Sequence, residues 1–99
     1  MGMNMKKQEA DANIVVERIQ TGVRLEKRTV KVLKALAEYL DLSLGDLLEG
    51  IVLHAFEGKC ALSERTLVQV GRLKEVYGLE LDAHASHRLI EPQAPQLNA

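Results

Sequence analysis

Between residues 18 and 25 polarity alternates. Arg18, Gln20, Gly22 and Arg24 share one parity, and Ile19, Thr21, Val23 and Leu25 the other. A period of two sends side chains to opposite faces of an extended strand. One face therefore carries two guanidinium groups and a carboxamide, and the other only apolar or hydroxyl side chains. The chemistry open to the first face is recognition. A guanidinium donates two parallel N–H bonds, which suits the edge of guanine, while a carboxamide offers the donor and acceptor that suit adenine. For Gln20 and Arg24 the alternative is an ordinary solvated strand surface. A second candidate is Ser43, which stands before an apolar stripe and reads as a helix N-cap. The N–H groups behind such a cap, with the macrodipole behind them, make an anion site.

These side chains need elements to hold them, and the periodicity supplies a series. After Leu25 the period changes to that of a helix beginning at Glu26 or Lys27. Val30, Leu33, Leu36, Ala37 and Leu40 form its stripe, with Lys27, Lys31, Lys34 and Glu38 mostly outside it. Leu40-Asp41-Leu42 closes this helix. Ser43 opens the next, with Asp46 where an acid meets the positive helix end. Its stripe, Leu44, Leu47, Leu48, Ile51, Val52, Ala55 and Phe56, is wider than one partner helix requires, which predicts burial against a second copy as well. Gly50 in mid-helix costs about 1 kcal/mol relative to alanine, tolerable where another backbone passes close, and Gly58 is a C-cap. Further on, Ser63 caps a helix carrying Leu67, Val70, Leu73, Val76 and Tyr77, with Gly78 as its stop, and Asp82 caps a short last helix through Leu89 and Ile90. Ile14-Val15-Val16 either extends the strand or packs separately.

The organisation expected is a flexible arm over 1–13, a strand-helix-helix module over 14–58, a helical extension over 59–90 and a flexible tail over 91–99. With 99 residues the chain is one domain. A chain of this length buries about 60–65% of its unfolded surface, so a strand and two helices call for oligomerisation. No segment is apolar for long enough to suggest a membrane span. Cys60 is the one cysteine, which excludes an internal disulfide and points to a cytoplasmic chain; its expected role is a small buried or half-buried side chain. The net charge of −1 argues against a nucleic-acid binder, but its distribution argues the other way. Arg18, Arg24, Lys27, Arg28, Lys31 and Lys34 face Glu26 alone over 18–34, whereas acids outnumber bases two to one from Ala35 onward. The alternative for the lysines is the wet face of a helix.

Over Arg18–Phe56 the alternating strand ending in Val23-Arg24-Leu25, the amphipathic helix, the short turn and Ser43 opening a second amphipathic helix resemble the ribbon-helix-helix family of DNA-binding proteins, the Arc/MetJ/CopG type. The resemblance implies a mainly α fold. One short strand per chain would pair with its copy into an intermolecular antiparallel β-ribbon that enters the DNA major groove. Carried onto this sequence, it makes Gln20, Gly22 and Arg24 the base-contacting positions. It also makes the Leu44 and Gly45 amides beside Ser43 a phosphate site, with Arg18 and Lys27 adding phosphate contacts. Val23, Leu25, Leu33, Leu36, Leu48, Ile51, Val52 and Phe56 would form the dimer core. Gly22 departs from the pattern because it brings no side chain to a base-reading slot.

Catalysis has little to draw on: there is no glycine-rich phosphate loop, no second cysteine and no Ser-His-Asp spacing. His84, His87 and Glu91 would line one side of a helix at metal-ligand spacing, but surface residues are the plainer reading, and neither metal nor cofactor is expected. His54 is a rim residue. The first expectation is therefore a homodimeric, sequence-specific regulator of transcription bound to double-stranded DNA and not an enzyme, its C-terminal helices buttressing the dimer or pairing dimers on adjacent sites. The second is a dimeric protein-interaction module or antitoxin-like protein that uses the same scaffold, or the Leu67–Tyr77 helix, to hold another protein.

Overall fold

The structure, a computed structural model, describes residues 13–92. The expected arm at 1–13 and tail at 91–99 thus lie, apart from Asn13, Glu91 and Pro92, outside the described residues. Among those described the fold is mainly α: α1 spans Lys27–Tyr39, α2 Leu44–Phe56 and α3 Glu64–Tyr77, followed by a single 3-10 turn at Ala83–Ala85. Residues 13–25 precede α1 without helix, turn or bend, and no strand is assigned among the described residues.

The helix ends follow from local chemistry. The Glu26 carboxylate caps α1, accepting the Arg28 amide at 2.9 Å, the Thr29 amide at 2.7 Å and the Thr29 hydroxyl at 2.8 Å. Ser43 caps α2 by accepting the Asp46 amide at 3.1 Å, and Ser63 caps α3 by accepting the Thr66 amide at 3.1 Å. All three helices end in a left-handed residue with paired reverse hydrogen bonds, the Schellman arrangement. Asp41, Gly58 and Gly78 hold φ of 58°, 71° and 67°, and the amides after them reach back to Ala37, His54 and Lys74 at 2.9, 2.9 and 2.8 Å. Asp41 does so without being glycine, because its short polar side chain tolerates that region.

α1 is the element on which both other helices pack. Leu36, Ala37 and Leu47 are its buried centre, bordered by Leu33, Leu40, Ile51, Leu62, Val70 and Leu73, with Val32 buried nearby. The Arg28 guanidinium donates to the Gly78 carbonyl at 3.5 Å, which brings the start of α1 to the end of α3, so these helices run antiparallel.

Three expectations are corrected. Asp82 does cap, through the His84 amide at 3.0 Å, but no helix runs on to Leu89 and Ile90. Ser86 turns to ψ 135° and His87 takes φ 67°, which ends the helical path after one turn. With that helix gone, His84, His87 and Glu91 are not aligned along one side, and no three metal-ligating side chains gather among the described residues. Cys60 is exposed, because it lies in the link between α2 and α3, where its thiol reaches the Leu62 carbonyl at 3.5 Å. Gly50 has nothing within 4 Å of where a Cβ would stand, so no other backbone among the described residues explains it.

Candidate nucleic-acid interface

Three parts of the chain hold the residues singled out above: the segment before α1, the N-terminus of α2, and the outward face of α2. Gln20, Gly22 and Arg24 are all exposed, as the alternating pattern requires of one face. The other face, however, is exposed too: Ile19 is 87% and Val23 73% accessible, and Leu25 nearly half. No backbone hydrogen bond among the described residues involves residues 13–25. In water the amides and carbonyls of such a run are solvated and open to pairing with another strand, while its apolar side chains stay uncovered within one chain.

Two carboxylates tie this segment to the rest. The Arg18 guanidinium donates from Nε and Nη2 to Glu49 of α2 at 3.0 and 2.8 Å, and the Arg24 guanidinium donates in the same forked manner to Glu91. Neither partner was legible beforehand. The pairs span 31 and 67 residues, and no local spacing connects them.

The Arg18 hydrogen bonds hold the Glu49 carboxyl below its ordinary value of 4.5. The Arg28 amide, the Thr29 amide and the Thr29 hydroxyl do the same for Glu26. A carboxylate whose folded pKa is depressed contributes stability that is present above the unfolded value and is lost as pH falls through the folded one. Melting temperature is therefore expected to fall on acidification below about pH 4.5, and Glu26→Gln should flatten that part of the curve. Thermal melts of both proteins across that range measure it.

At the start of α2, four amides lack intrahelical partners by geometry. Ser43 takes that of Asp46, which leaves its own amide and those of Leu44 and Gly45. Gly45 is exposed, and nothing lies within 4 Å of where a Cβ would stand, so the approach is open. Asp46 brings a negative charge to the same turn. Through its two hydrogen bonds to Glu49, Arg18 lies against the N-terminal half of α2. Lys27 is exposed at the first position of α1.

The residues expected in a dimer core divide. Leu36 is buried within the chain, Leu33 and Ile51 pack on it, and Leu48 is half-buried. Val23, Leu25, Val52 and Phe56 are exposed, Phe56 at 79%. Among the described residues seventeen large apolar side chains are exposed and four apolar residues are buried.

No family model, curated protein or solved structure matches this chain. No helix among the described residues is long and apolar enough to cross a membrane.

Proposed function

We propose that the protein is a homodimeric DNA-binding regulator of the ribbon-helix-helix kind, in which residues 18–25 of two copies pair as an antiparallel ribbon and enter the major groove. The observation that carries this reading is the unpaired backbone of residues 13–25. An exposed segment of alternating polarity with unused amides and carbonyls is completed by a second identical segment, which satisfies the backbone and covers Val23 and Leu25 at once. The opposite face then presents Gln20 and Arg24 in two copies to base edges, and Gly22 adds backbone alone. Arg18, Lys27 and the Leu44 and Gly45 amides beside Ser43 serve as phosphate contacts. α2 supplies the rest of the interface through Val52 and Phe56.

Salt tests this reading directly. Binding of the dimer to duplex DNA from the chain's own upstream region should fall about a thousandfold between 50 and 200 mM salt if six phosphates are neutralised. A folded dimer that binds no duplex at low salt would refute it. Ser43→Ala should cost about 1 kcal/mol of stability by loss of the cap, and should weaken random-sequence and preferred DNA equally. A loss confined to stability would remove Ser43 and its neighbouring amides from the phosphate contacts.

A second reading, a dimer that holds another protein, draws on one observation. The two arginines of the segment are already met by carboxylates, while α3 leaves Leu67, Val68 and Val76 exposed. An antitoxin-like protein would use both ends. The unpaired backbone serves either dimer; the excess of positive charge over residues 18–34 and the Ser43 cap favour the DNA reading.

A further inference from the structure

After α3 the chain turns back toward its own beginning. The Asp82 cap holds the Ala83–Ala85 turn, and Arg88 tightens it by donating its amide to the Ala85 carbonyl and its guanidinium to the His84 carbonyl, at 3.0 and 3.1 Å. Leu89 then stands between two grooves. It lines one with Val32, Val70, Leu79 and Leu81, and the other, of about 830 Å³, with Val23, Leu25 and Val30. Two residues further on, Glu91 meets Arg24 through both of its oxygens.

A carboxylate presents two acceptors side by side, as the O6 and N7 atoms of guanine do. A guanidinium fork filled by one cannot be filled by the other. We propose that residues 89–92 are a built-in competitor for Arg24, the Glu91 carboxylate occupying the fork until a guanine edge displaces it. The inference rests on the reading of Arg24 as a base-contacting residue and adds a regulator to that site. Arg24 and Glu91 are 82% and 67% exposed. A pair so wet is weak, as a displaceable guard must be. Its cost falls on complexes that use the fork, so it lowers affinity for the preferred sequence more than for random DNA. Loss of one negative charge without competition would change both alike.

The test uses the full chain with Glu91→Gln, and Glu80→Gln as an exposed acid of the same region that does not touch Arg24. The Arg24 Nε–H resonance is followed without DNA, and binding is measured to a duplex from the chain's own upstream region and to random-sequence duplex. Glu91→Gln is expected to move the Arg24 resonance and to tighten the upstream duplex about three- to fivefold over random sequence. Glu80→Gln should do neither. An unmoved resonance overturns the competitor whatever the DNA shows. A moved resonance with unchanged preference also overturns it, yet leaves Arg24 as a base reader if Arg24→Ala still weakens the upstream duplex. A moved resonance with no binding by either protein refutes the DNA reading and the competitor with it, and leaves the pair as a structural tie.

Discussion

Arg24→Ala is expected to weaken the preferred duplex by about 1–3 kcal/mol for each copy that loses a bidentate base contact, roughly five- to 150-fold per contact. Random-sequence DNA should lose far less, so the ratio between the two collapses. This separation carries the argument, because removing any positive charge weakens all DNA through the phosphates. Arg18→Ala provides the comparison. Arg18 is held against Glu49 on α2, so its loss should lower both affinities together. The measurement is a pair of binding curves for each protein at two salt concentrations. If Arg24→Ala weakens random and preferred DNA by one factor, Arg24 is a phosphate contact and the ribbon's reading head has been misplaced.

The largest effect on the fold is expected from the α2 face. Phe56 is 79% and Val52 42% exposed in the single chain, where the buried residues among those described are Val32, Leu36, Ala37 and Leu47. A dimer must cover that face, and an aspartate placed there would be buried without a partner, at a cost on the order of 3 kcal/mol or more. Domains are stable by about 5–15 kcal/mol, and in a dimer of the proposed kind part of that belongs to association. Phe56→Asp and Val52→Asp should therefore abolish the dimer, and with it most of the cooperative melt. The wild type should melt at a temperature that rises with its concentration. Sedimentation of each protein at micromolar concentration, together with melts at two concentrations, decides it. A Phe56→Asp protein that sediments and melts as the wild type does would show that this face is not the interface.

Local chemistry was readable from the order of residues because its causes are local. Ser43 and Ser63 each have an amide three residues on to accept, Gly58 and Gly78 tolerate left-handed backbone, and the apolar stripes have a period set by the helix. Those features place α1, α2 and α3 within the chain. The same reasoning failed after Asp82, where a cap was read correctly but the helix behind it stops after one turn. A cap marks where a helix starts, and packing decides how far a short one continues. For Cys60 composition favours burial, and its place in the link between helices overrode that preference.

The sequence by itself determined three helices and their ends, the alternation of residues 18–25, and the separation of positive charge near the start from negative charge beyond it. Only the tertiary structure decided that α1 is the helix both others pack on. It also placed Glu49 on Arg18 and Glu91 on Arg24, and showed that residues 13–25 find no backbone partner among the described residues. The division has a physical reason. Caps, periods and turns arise within a few bonds of one another. Which carboxylate a guanidinium meets 31 or 67 residues away depends on where the intervening helices put it, and no spacing along the chain records that.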